Sequence, residues 1–125
     1  MKEPILTKKD MEDSSICGRK SNYKNGLYFL YDKQNQIIYI GQVGSTDDTS
    51  LYDRMIGHGD GSHSKKDKRW YNLVEYGRFH QFINLTKQEL NHIERLAISC
   101  MNQAIYNDGI DVTQTAIDNI LKKIL

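Results

Sequence analysis

Five side chains in this 125-residue sequence are of the kinds that can work on a phosphate ester: the phenols of Tyr28 and Tyr39, the guanidinium of Arg54, the imidazole of His58 and the carboxyl of Glu94. A carboxylate is a hard oxygen ligand, and Mg²⁺ is commonly held by one or two carboxylates together with water and phosphate. Such an ion binds a phosphate oxygen and stabilises charge on the leaving oxygen. An arginine in a low-dielectric cleft adds fixed positive charge that acts more strongly there than in water. A tyrosine can take the proton of an attacking water when neighbouring cations bring its pKa down from about 10. No glycine-rich phosphate loop, Ser/His/Asp set or cysteine-nucleophile pattern stands out as a competing chemistry.

The elements that must position these groups are legible in outline. Gly26 to Tyr31 and Ile37 to Ile40 are rich in aromatic and aliphatic residues, with an all-polar Asp32 to Gln36 between them, which predicts a β-hairpin. Register decides its chemistry, because a slip of one residue sends every side chain to the other face. An even loop centred on Gln34-Asn35 puts Tyr28 and Tyr39 on one face, and an odd loop parts them. Asn35 tolerates the left-handed backbone of such a turn, which favours the even case. A helix follows: Asp47, Asp48, Thr49 and Ser50 offer N-caps, and Leu51, Tyr52, Met55 and Ile56 form an apolar stripe. Arg54 and His58, four residues apart, share one side at the edge of that stripe.

Glu94 lies in the clearest local signal. Thr86-Lys87-Gln88-Glu89 is a capping box, and Leu85 can staple onto Leu90. From that start Leu90, Ile93, Ala97, Met101 and Ala104 form the buried stripe, while Asn91, Arg95, Asn102 and Gln103 lie away from it. Glu94 falls inside the stripe, where an ionised carboxylate is costly unless a cation or several donors meet it. Two partners answer that need: a buried salt bridge to Arg54 or a lysine, or a divalent metal, for which magnesium is the natural choice.

The remaining segments carry weaker signals. In Met1 to Asn25, Thr7 can cap a short helix through Met11, but the apolar residues keep no sustained period, so the segment reads as an arm packed on the core or partly disordered. Gly57 to Asp67 reads as a loop, with three glycines, two serines and no apolar residue. His58 and His63 are too few ligands for a structural zinc site. Lys65, Lys66, Lys68 and Arg69, beside Trp70 and Tyr71, are candidate phosphate-binding residues, with solvated surface as the plainer reading. Arg69 to Tyr76 reads as a short helix with Trp70, Leu73 and Val74 on one side and Gly77 as its stop, and Phe79 to Leu85 as a third strand. Tyr106 to Gly109 closes the Glu94 helix, and Val112, Ile117, Ile120, Leu121 and Ile124 pattern a final amphipathic helix.

Size and composition bound the alternatives. The length suits one globular domain with a modest core. With 17 basic and 16 acidic residues, net charge alone gives no strong, independent nucleic-acid binder. No apolar run approaches the roughly 20 residues of a membrane span, and the N-terminus lacks the apolar core of a secretory signal, so a cytoplasmic protein without a membrane partner is expected. Cys17 and Cys100 have no CxxC partner and are expected as reduced thiols.

Taken together, Gly26-Leu27-Tyr28, Tyr39-Ile40-Gly41 and a following helix with Arg54 and His58 resemble the GIY-YIG nuclease domain over roughly Lys24 to Asn107. The resemblance implies an α+β fold, a small three-stranded antiparallel sheet flanked by helices, as a single domain over residues 24–125 behind an N-terminal arm of residues 1–23. It implies a Mg²⁺-dependent endonuclease acting on DNA, with Mn²⁺ as an alternative ion. Carried over by position, Tyr28 is the general base, Tyr39 its partner or an alternative base, Arg54 the transition-state cation and Glu94 the metal ligand. His58 takes the place near the phosphate, and Asn107 that of a late asparagine that helps hold the site together. Where many members carry lysine after Tyr-Ile-Gly, this chain has Gln42, which removes a charge that could depress the tyrosine pKa; Lys24 or Lys65 is a candidate substitute. Without an attached DNA-binding domain, target choice falls to the loops, the arm, a homodimer or a protein partner. The competing class is a non-catalytic nucleic-acid-binding or scaffolding module of the same fold, with Glu94 bridged to Arg54.

Overall fold

The computed structural model describes residues 5–44, 49–62 and 64–100. His63, Asn107 and the amphipathic helix expected near the C-terminus lie outside the described residues, as do Asp47 and Asp48 among the proposed caps. The described chain forms one small α+β domain with a four-stranded antiparallel sheet. In order, the elements are β1 (Ile5–Thr7), α1 (Lys8–Met11), α2 (Ser14–Cys17), β2 (Gly26–Tyr31), β3 (Ile37–Val43), α3 (Leu51–Asp60), α4 (Asp67–Tyr71), β4 (Tyr76–Gln81) and α5 (Lys87–Cys100).

The sheet runs β1-β4-β2-β3, so the expected three strands become four. The added strand comes from the arm. Ile5, Leu6 and Thr7 pair with Arg78, Gly77 and Tyr76, covering the outer edge of β4. Three residues are too few to show a period in sequence, yet their alternation is plain in space: Leu6 is buried between exposed Ile5 and Thr7. Behind β1, Thr7 caps α1 as expected, its hydroxyl accepting from the Asp10 amide at 3.1 Å. Met11 and Cys17 are fully buried, so this part of the arm is packed on the core, and Cys17 is a free thiol.

The hairpin reaches the expected arrangement by an unexpected route. Asn35 does adopt the left-handed conformation, at φ 61°. Yet Tyr31 faces Ile37, leaving five residues, Asp32 to Gln36, in the loop. An odd loop alone would part the two tyrosines. A register shift between Leu30 and Tyr31 leaves Ile38 unmatched, and from there Leu30 faces Tyr39 and Tyr28 faces Gly41. The irregularity thus restores the even register, and Tyr28 and Tyr39 share a face.

Each face of the sheet has its own cover. Tyr28, Leu30, Val43 and Phe79 pack with Leu51 and Met55 of α3, Trp70 and Tyr71 of α4, and Met11 and Cys17 of the arm. On the opposite face, Leu27 and Ile40 pack beneath Leu90, Ile93 and Ala97 of α5. The capping box of α5 forms as read: Thr86 Oγ1 accepts from the Glu89 amide at 3.2 Å, and Glu89 Oε1 accepts from the Thr86 amide at 2.9 Å. Among the described residues, no helix is long and apolar enough to cross a membrane.

Four expected boundaries are corrected, the first being the third strand, which spans Tyr76–Gln81 rather than Phe79 to Leu85. The predicted Gly57 to Asp67 loop is helical in its first part, because α3 continues to Asp60 and stops at Gly61, whose φ of 78° suits glycine. Gly59 helps this happen: a Cβ there would crowd the Tyr71 ring at 3.1 Å, so its absence lets the last turn of α3 lie against α4. The predicted Arg69 to Tyr76 helix begins earlier and ends at Tyr71, which leaves Leu73 exposed. Gly77 is no helix stop; it lies in β4, where Met11 and Leu30 occupy the space a side chain would need.

Candidate active site

Tyr28 sits on a seat made by glycine. Gly41 is its register partner, and a Cβ at that position would overlap the phenol's Cζ and oxygen. The ring therefore lies flat across β3, the strand at the sheet's edge. Tyr39 is half-buried beside it, ring centroids 6.1 Å apart and planes 23° from parallel. Tyr39 also stacks on Trp70 at 4.6 Å.

The extra turn of α3 carries His58 into this aromatic cluster, where it has no exposed surface. Its Nε2 lies 2.8 Å from the Tyr28 oxygen, and its Nδ1 lies 2.7 Å from Asp67 Oδ2. Trp70 Nε1 donates to the other carboxyl oxygen of Asp67 at 3.2 Å. Asp67 is itself buried. The result is a continuous chain from phenol to imidazole to carboxyl to indole, every member of it buried. Any link between His58 and a bound phosphate therefore runs through Tyr28. Burial pushes the Tyr28 hydroxyl well above its usual pKa, and Tyr39, Glu94 and Asp67 add to the rise while Arg54 opposes it.

Glu94 approaches from α5, on the other side of the sheet. It is half-buried, and burial raises its carboxyl above the usual carboxylate range, opposed by a hydrogen bond with Gln42 and by the charges of Lys87, Arg54 and Arg95. Gln42 is the centre of this group. Its Nε2 donates to Asn91 Oδ1, and its Oε1 accepts from Lys87 Nζ at 2.9 Å. Asn91, expected away from the packed side of α5, is thus half-buried against β3. The lysine that meets Gln42 is Lys87.

Arg54 and Glu94 form no direct ion pair among the described residues, although each acts electrostatically on Tyr28. Arg54 Nε is buried without a hydrogen-bond partner among those residues. A buried guanidinium N–H left unpaired costs free energy and marks a donor awaiting an acceptor. The structural bridge that would make Glu94 a core residue is therefore not formed. Among the described residues, no cluster of three or more histidine, cysteine or acidic side chains could hold a metal. Glu94 would serve as a lone protein carboxylate, which suits Mg²⁺ completed by water and phosphate and does not suit a structural zinc ion.

Lys65, Lys66, Lys68 and Arg69 are all exposed, on the outer side of the α4 region whose inner side holds Asp67, Trp70 and Tyr71. Sequence reasoning missed Asp67 and Lys87. Asp67 was hidden in a segment that read as loop, although its spacing of three from Trp70 on a helix would have paired them. No family model matches this chain, and no curated protein matches it.

Proposed function

We propose that this protein is a divalent-metal-dependent endonuclease that hydrolyses DNA phosphodiester bonds. The observation that supports it most is the state of Arg54: a buried Nε without a partner among the described residues, in the neighbourhood of a desolvated carboxyl with which it does not pair. A phosphate ester bound here would give the guanidinium an acceptor, and the carboxylate would hold a divalent cation that supplies charge neutralisation. The sequence resemblance points the same way, and Lys65, Lys66, Lys68 and Arg69, all exposed, would in this reading contact a nucleic-acid backbone.

In this reading Tyr28 takes the proton of the attacking water, with half-buried Tyr39 lining its approach. Arg54 donates to the phosphate oxygens and stabilises the charge that grows on them. Glu94, held by Gln42, supplies the protein ligand for Mg²⁺ or Mn²⁺, and that ion when bound neutralises phosphate charge and stabilises the leaving oxygen. Asn107 keeps the supporting role that the resemblance gives it. The near-neutral net charge leaves target choice to loops, a second copy or a protein partner.

The test is plasmid nicking by the purified protein with Mg²⁺ or Mn²⁺. Cleavage that stops with chelator, and in folded Glu94→Ala and Arg54→Ala proteins, supports the reading. Metal-dependent cleavage that persists in Glu94→Ala overturns it. DNA binding without any cleavage would instead favour the non-catalytic module.

A further inference from the structure

A buried phenol is a poor base, since its anion is disfavoured where it is formed. We infer that Asp67, steadied by Trp70, is a positioning residue that fixes His58 with its hydrogen on Nδ1, so that Tyr28 passes its own proton inward while it takes one from water. The inference rests on the nuclease reading above, and deepens it by naming where the proton goes.

Hydrogen-bond bookkeeping around Asp67 sets the direction of the chain. Indole Nε1 can only donate, so Asp67 Oδ1 accepts from Trp70. At 2.7 Å, the contact between Oδ2 and His58 Nδ1 has the length of a charge-assisted bond to a carboxylate. That places the imidazole hydrogen on Nδ1 and leaves Nε2 as an acceptor. The Tyr28 hydroxyl, 2.8 Å from Nε2, must then donate to it. Its oxygen keeps lone pairs that can accept from the attacking water once substrate brings one to the buried phenol.

The step balances without an exposed phenolate. A water O–H bond breaks as its oxygen forms the new bond to phosphorus, and the freed proton joins the Tyr28 oxygen. The original Tyr28 O–H breaks, and its proton joins Nε2. The P–O bond to the leaving oxygen breaks, and that oxygen takes a proton from solvent. His58 holds the transferred proton as imidazolium beside the Asp67 carboxylate until it returns through Tyr28. Around His58 stand Tyr28, Tyr39, Asp67, Trp70 and Tyr71, with Arg54 and Glu94 acting on Tyr28 from α3 and α5. Asp67 supplies the carboxylate that meets the imidazole directly.

The experiment combines ¹⁵N NMR of the His58 ring with turnover on plasmid DNA in the presence of Mg²⁺. The wild type should show hydrogen on Nδ1 and none on Nε2 at neutral pH. In Asp67→Asn the amide oxygen can still accept from Trp70, turning the amide N–H towards Nδ1. The ring hydrogen should then move to Nε2, and kcat should fall by about 10²-fold or more with KM for DNA little changed. Asp67→Glu should restore the Nδ1 hydrogen and part of the rate. Should Asp67→Asn fail to fold, Trp70→Phe keeps an aromatic ring while removing the donor and some ring volume; it should lower kcat several-fold and raise the Nε2–H population. A wild type that cuts DNA with its hydrogen on Nε2, or Asp67→Asn and Trp70→Phe proteins with unchanged kcat, overturns the role given to Asp67. A wild type with the Nδ1 hydrogen that cuts no DNA overturns the nuclease reading instead.

Discussion

The two groups that meet at Tyr28 are built on opposite terms. On the α3 and α4 side, His58, Asp67 and Trp70 are buried and hydrogen-bonded in sequence, each held by the next. On the α5 side, Glu94, Gln42 and Asn91 are half-buried and Lys87 is exposed, with Gln42 linking the other three and Arg54 acting on Glu94 only through its charge. A dry network resists rearrangement because an unpaired member is costly there. A half-wet one can exchange partners at little expense, as a site that must admit an ion and a phosphate requires. In the proposed nuclease, the contrast would be between a rigid region that handles protons and an adaptable one that handles charge.

Substitutions on the two sides should therefore fail differently. The largest effects on rate are expected at the charge-handling groups: Glu94→Ala and Arg54→Ala should each lower plasmid cleavage by about 10²–10³-fold, with melting temperatures close to wild type. If either protein unfolds instead, the division between the two sides is wrong. Stability should instead fall most where Tyr28 is seated and where it is paired. Gly41→Ala forces a methyl into the phenol, and overpacking of this kind costs about 1–3 kcal/mol, measurable by urea denaturation. Removing the imidazole in His58→Ala leaves Tyr28 and Asp67 without their shared partner and should cost a similar amount, about 1–3 kcal/mol, for each group stranded.

Smaller effects sharpen the picture. Replacing Lys65, Lys66, Lys68 and Arg69 with alanine should weaken DNA binding across sequences and reduce the slope of log affinity against log salt by roughly 0.9 for each phosphate that is no longer neutralised. Titration of Glu94 gives the most delicate check. Its folded-state pKa is raised, so the folded protein binds its proton more tightly than the unfolded chain does. Stability from this group then falls as pH rises from the ordinary carboxyl range through the raised value, and the penalty is complete above it. Glu94→Gln should melt a few degrees higher than wild type at neutral pH, and the gap should close on acidification. A constant gap would place the cost elsewhere.

How much of this could be read from sequence differed between the same two regions. The charge-handling half was legible because α5 announces itself: Thr86 and Glu89 cap it, and the count from there places Glu94 among apolar neighbours. The shared face of Tyr28 and Tyr39 was also legible, but its cause was not, since an unmatched Ile38 leaves no mark in a run of β-favouring residues. The proton-handling half was largely hidden. Glycines at 57, 59 and 61 look like a loop because glycine is a poor helix former, and only the packing of Gly59 against Tyr71 explains why the helix continues. His58 could be found, but Asp67 became its partner only when that turn brought two short helices together. The β1 strand escaped notice for a related reason: its hydrogen bonds all lie with residues far along the chain.

That last pairing bears on how the molecule is made. A ribosome releases Ile5 to Thr7 before the strand that receives them, Tyr76 to Gln81, which emerges only after the hairpin and four helices. The border of the sheet must therefore wait for most of its own interior. The hairpin can close early from neighbouring residues, and seating Ile5 to Thr7 becomes a late event in folding, sensitive to anything that holds that segment away from β4.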